Sequence, residues 1–165
     1  MKVGEVSVIV ALLGVFVLAP ATPASAATVR VAGTITVVSE PPCEAPVFTG
    51  VIARCHTEGF IDTWAGGISG TGSYDENVTL NLMTGVFYLS GSETIGDACV
   101  GDRCGTLEST FHGSGLVDLE TGALIFADGQ QRFTGGTGAL EGSKGSILFS
   151  FIGADSATYE GSIVL

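Results

Sequence analysis

Positive charge is what this sequence has least of: six Lys and Arg stand against 17 Asp and Glu, a net charge of −11 over 165 residues. So acidic a surface repels phosphate backbones and anionic lipid headgroups, which argues against nucleic acid and against a membrane surface as partners. Charged residues of either sign are only 14% of the chain, while hydrophobic ones are 45%. Disorder needs the reverse balance, so the chain folds. Histidine is confined to His56 and His112, and tryptophan to Trp64. No G-x-S-x-G elbow occurs, which argues against a serine hydrolase. Gly136-Thr137-Gly138-Ala139-Leu140-Glu141-Gly142 misses the dinucleotide spacing by one residue, and Gly145 follows Lys144 where a phosphate loop needs Ser or Thr. The cysteines show neither C-x-x-C nor a partnering H-x-x-x-H, a poor fit to zinc. No metal and no cofactor is implied.

A long apolar run is also lacking. The uncharged stretch Val6–Ala19 has 14 residues, short of the roughly 20 needed to span a bilayer. It follows Lys2 and precedes Pro20, Pro23 and the small-residue run Ala24-Ser25-Ala26. That order predicts a secretory signal peptide, residues 1–26, and one exported domain, residues 27–165, with no membrane attachment after cleavage. Four cysteines, Cys43, Cys55, Cys99 and Cys104, then face an oxidising compartment and predict two disulfides. Three connectivities are open. Cys43–Cys55 with Cys99–Cys104 is favoured, because each pair brackets a short segment rich in turn residues. Asn77-Val78-Thr79 matches a glycosylation sequon, relevant only in a eukaryotic secretory path.

What the chain does have is β-pattern. Short stretches of β-branched and aromatic residues are punctuated by Gly, Asp and Asn, with no 3.6-residue period. Eight strands are expected, near residues 28–39, 47–61, 67–80, 86–96, 105–117, 123–133, 145–153 and 157–165. Leu107, Ser109 and Phe111 share one face, Glu108, Thr110 and His112 the other. Phe87, Phe126, Phe149 and Phe151 are expected in the core. Asn81-Leu82-Met83-Thr84-Gly85 recurs as Asp118-Leu119-Glu120-Thr121-Gly122, and at the same offset of 37 residues Tyr74 matches Phe111. The repeat predicts two like hairpins, each with an Asn or Asp side chain capping the turn and a left-handed Gly closing it. A third turn is expected at Ala154-Asp155-Ser156. Consecutive hairpins imply an all-β, eight-stranded antiparallel up-and-down barrel.

Phe133-Thr134-Gly135-Gly136-Thr137-Gly138-Ala139-Leu140-Glu141-Gly142-Ser143-Lys144-Gly145, followed by an apolar strand, resembles the F-x-G-G-T-G-x-[FL]-x-G-x-x-G segment of the allene oxide cyclase barrel-like proteins, relatives of the dirigent proteins. The preceding strand, Thr-Gly hairpin and strand over 105–126 are similar to the same family. The resemblance implies an antiparallel barrel with a cavity at one end, used in plant relatives to hold a reactive lipophilic molecule and steer its cyclisation or coupling. It also implies a homotrimer. No catalytic residue of those enzymes falls on a matching motif here.

Four residues remain as ligand-binding candidates. Glu108 and His112 share a strand face, as do His56 and Glu58, with Asp62 further along. Facing a cavity, such a Glu–His pair serves as a base or anchors a polar ligand group. Facing out, it is a solvated pair, and the apolar Leu107–Phe111 face favours that. Trp64, before Ala65-Gly66-Gly67, is expected at a strand end near the barrel mouth. The leading expectation is a secreted barrel binding a small apolar molecule in its mouth. The alternatives are an isomerase of the cyclase or dirigent type, and an interaction protein whose barrel is filled.

Overall fold

The computed structural model describes residues 26–151, 153 and 155–165. The expected leader, up to position 25, lies outside the described residues, as does Ala154 of the third expected turn. Nine strands run in chain order: β1 Thr28–Ser39, β2 Val47–Thr49, β3 Ile52–Gly66, β4 Ser69–Asn81, β5 Val86–Val100, β6 Arg103–Val117, β7 Leu124–Gly138, β8 Lys144–Phe151 and β9 Ser156–Val164. Each strand from β3 to β9 pairs antiparallel with the next; β1 pairs with β9 on one side and β3 on the other. That last pairing closes the sheet into an eight-stranded ring, with β2 a short outer addition to β3. The expected strand over 47–61 is thus two strands, broken by a turn at Gly50, whose φ is 60°. Among the described residues, closure leaves only the short β2 as a free edge.

The repeated turns are built alike, hydrogen bond for hydrogen bond. Asn81 Oδ1 accepts from the amides of Met83 (2.9 Å) and Thr84 (3.3 Å), and Asp118 Oδ1 accepts from Glu120 (2.8 Å) and Thr121 (3.3 Å). Gly85 and Gly122, at φ 71° and 73°, each donate back to the carbonyl of the capping residue. Only a residue without Cβ takes that left-handed conformation at no cost. The exposed Asp118 carboxyl is held below its ordinary range by these amide donors. Tyr74 and Phe111, the other matched pair, meet edge to face inside the barrel, centroids 5.6 Å apart. Both cystines form as favoured, Cys43 with Cys55 and Cys99 with Cys104, at Cα separations of 6.0 and 4.2 Å.

One half of the interior is solid. Ile68, Ile95, Leu107, Phe133, Leu140, Ile147 and Ile163 are wholly buried there. Leu140 comes from the turn after β7, so the glycine-rich segment connects two strands and plugs the closed end. Aromatic rings elsewhere lie over cross-strand glycines: Phe111 over Gly91, Phe87 over Gly115 and Phe149 over Gly129. A Cβ at any of the three would strike the ring. Phe126 is not core; it is 45% exposed. It alternates with the inward Ala127, Gly129, Gln131 and Phe133 and so faces out. The register shift at Ile125 instead returns Leu124 to the inner face, where it lines the open end.

Candidate functional site

At the opposite end the barrel is open. The end carrying the Asn81 and Asp118 turns holds a cavity of about 320 Å³ walled by Val37, Phe60, Val78, Leu80, Leu89 and Phe151, among others. Two carboxylates belong to it, Glu40 just after β1 and Glu76 on β4. A smaller void of about 40 Å³ continues it inward, sharing Tyr74, Glu76, Leu89 and Phe151 and adding Asp62, Glu93 and Gln131. Among the described residues, no Lys, Arg or His lines either space. The site is an apolar mouth with an acidic floor.

The floor residues come from strands far apart in sequence. Asp62 lies on β3, Glu93 on β5, Ser109 on β6 and Gln131 on β7, and all four are buried. Gln131 Nε2 donates to Glu93 Oε2 and to Ser109 Oγ, the latter at 2.7 Å. Trp64 Nε1 donates to Glu93 Oε1 at 2.8 Å, and Ser109 Oγ donates to the Glu93 carbonyl at 3.3 Å. Gly72 on β4 lies between the two acids: a Cβ there would collide with both Asp62 Oδ1 and Glu93 Oε1. The glycine thus lets two carboxyls face one gap. Asp62 Oδ1 makes no hydrogen bond to any described protein group, although the residue is only 3% exposed.

Electrostatics follow from that burial. Desolvation raises both buried carboxyls above their ordinary range, and at Glu93 the nearby Asp62 charge raises it further, outweighing the Trp64 and Gln131 donors. The pair therefore holds a proton into the neutral range. Glu76 is pushed up to about 7, by burial first and then by the charge of Glu40. Burial also raises the Tyr74 phenol, which stacks on Phe60 at 4.7 Å.

Of the four ligand-binding candidates expected from sequence, only Trp64 belongs to this arrangement, joined by Asp62 from further along the His56 strand. Trp64 is not at the mouth: it is 3% exposed, packs on Tyr159 at 5.0 Å and braces Glu93 from the closed side. Glu108 and His112 are exposed on the outer face of β6, because Leu107, Ser109 and Phe111 take the inner one. His56 is exposed as well, within 3.1 Å of Asn77 Oδ1 and 3.2 Å of Glu58 Oε1. The expected sharing of a face by His56 and Asp62 is corrected by a bulge between Thr57 and Phe60, with Gly59 at φ 81°. One extra residue reverses the alternation, so Asp62 points inward while His56 and Glu58 stay out. Glu93, Ser109 and Gln131 carried a signal: each is polar on an otherwise apolar period-2 face, Glu93 between Leu89 and Ile95, Gln131 before Phe133. Among the described residues, no three His, Cys, Asp or Glu are grouped to hold a metal.

No family model and no curated protein matches this chain. Among solved structures it is similar to a protein of unknown function from the DUF3224 family of Shewanella oneidensis MR-1. The TM-score is 0.60 at 15% identity, covering 84% of this chain and 98% of that one. At that identity the likeness concerns the fold alone.

Proposed function

We propose that this is an exported binding protein that holds a small, mostly apolar molecule in the barrel mouth. The observation that carries the reading is the apolar cavity of about 320 Å³, open at one end above a solid lower half. Its size falls in the range of small-molecule pockets, and apolar walls with few polar groups are their usual lining. Export is supported by the two cystines, which persist in oxidising compartments, and by the leader pattern of residues 1–26. The neutral fluorophore N-phenyl-1-naphthylamine is the test. Its emission should rise on binding with a stoichiometry of one, and Leu89→Trp, which fills the mouth, should weaken binding at least tenfold with the Tm little changed. Absence of saturable binding to the unaltered protein would remove the reading.

A second reading, an isomerase of the cyclase or dirigent type, is favoured by one observation. The Asp62–Glu93 pair keeps a transferable proton beneath an apolar cavity. That chemistry needs Asp62 to reach a bound molecule; binding alone does not.

A further inference from the structure

The mouth has a charge preference as well as a shape. We infer that its ligand is an apolar molecule bearing a protonated amine, seated with the ammonium between Glu76 and Asp62; this rests on the binding reading above. Three observations converge on it. Among the described residues, the cavity and its floor contain four carboxyl groups, Glu40, Glu76, Asp62 and Glu93, and no basic side chain. Glu93 is already engaged by Trp64 and Gln131, but Asp62 Oδ1 is buried and unpartnered beside the floor void. A buried carboxyl oxygen without a hydrogen-bond partner carries a desolvation cost that an ammonium donor removes. The ammonium takes the place of the proton that the Asp62–Glu93 pair otherwise holds. The void of about 40 Å³ is small. It admits a headgroup of one or two heavy atoms, while the wider mouth takes the apolar body.

A fatty acid or other carboxylate is disfavoured by the same geometry, since like charges would meet in a desolvated floor. A neutral alcohol could bond to one acid but gains no charge pairing. An ammonium offers three donors, enough for Glu76 and Asp62 together.

The test is displacement of N-phenyl-1-naphthylamine by three compounds of like body: 1-naphthylmethylamine, 1-naphthalenemethanol and 1-naphthaleneacetate. The amine should bind at least tenfold more tightly than the alcohol, with the acetate weakest. Glu76→Gln, half-buried and tolerant of the change, should remove most of that preference, and Asp62→Asn should do so if it folds. Glu160→Gln, an exposed acid on the outside of β9, should leave it intact. Equal binding of amine and alcohol would overturn the inference and leave the pocket standing. An amine preference that survives Glu76→Gln but falls with Glu160→Gln would assign it to the acidic surface and overturn it too. If the dye itself does not bind, both the pocket and its charge preference fall.

Discussion

Stability should fall as pH rises from 5 to 8, opposite to the usual behaviour of a protein whose carboxylates form stabilising pairs. Glu76 titrates at about 7 in the folded chain against 4.5 for a free glutamate, because burial penalises its charged form. Asp62 and Glu93 are raised for the same cause, and Glu93 additionally by its neighbour. Between the unfolded and folded values the native state binds more protons than the unfolded chain, so raising the pH favours unfolding. The contribution is complete below about pH 4 and is lost as pH passes through 7 to 8. At ~1.4 kcal/mol per pH unit, Glu76 alone accounts for up to about 3 kcal/mol. Repulsion within a chain of net charge −11 acts in the same direction, so the comparison that isolates the site is a variant. Glu76→Gln/Glu93→Gln should lose at least half of the decline measured by urea unfolding at pH 5 and pH 8. A flat or rising profile in the unaltered protein would contradict the burial of these acids.

The second large effect concerns the network beneath the mouth. Replacing Gln131 by Leu removes the donor to Glu93 Oε2 and to Ser109 Oγ. Stranding a buried acceptor costs about 1–3 kcal/mol, more when it is charged. Gln131→Leu should therefore lower stability by about 2–3 kcal/mol at pH 8 and by less at pH 5, where Glu93 is neutral. Glu93→Leu combined with Gln131→Leu should recover part of that loss, because neither partner is then left unpaired. Two losses that simply add would mean the residues act independently, against a hydrogen-bonded network.

These acids were the part of the molecule least legible in the chain. The barrel itself could be read: the β1 span of 28–39 matches throughout, and the Asn/Asp-Leu-x-Thr-Gly repeat named both the turn and its capping side chain. Those features are local, set by neighbours two to four residues apart. The alternation of β6 was legible for the same reason, and it placed Glu108 and His112 outside. A bulge is where the reading of faces failed. At Gly59 one inserted residue reverses the faces, which hid Asp62 among the outer residues. Aromaticity alone suggests the core for Phe126, although alternation from Phe133 places it outside. The gathering of Asp62, Glu93, Ser109 and Gln131 depends on the register of β3 through β7, and short-range pattern carries no record of that register. Gly72 shows the same limit, since its purpose exists only once two acids from β3 and β5 lean over it.

The most direct measurement is a methyl NMR titration of the oxidised protein with N-phenyl-1-naphthylamine. Val37, Val78, Leu80 and Leu89 line the mouth, whereas Ile125 and Leu148 are exposed on the outer surface. Saturable shifts at the four mouth residues, with Ile125 and Leu148 unmoved, are the predicted result. Shifts confined to Ile125 and Leu148, or none at saturating dye, would contradict binding in the mouth.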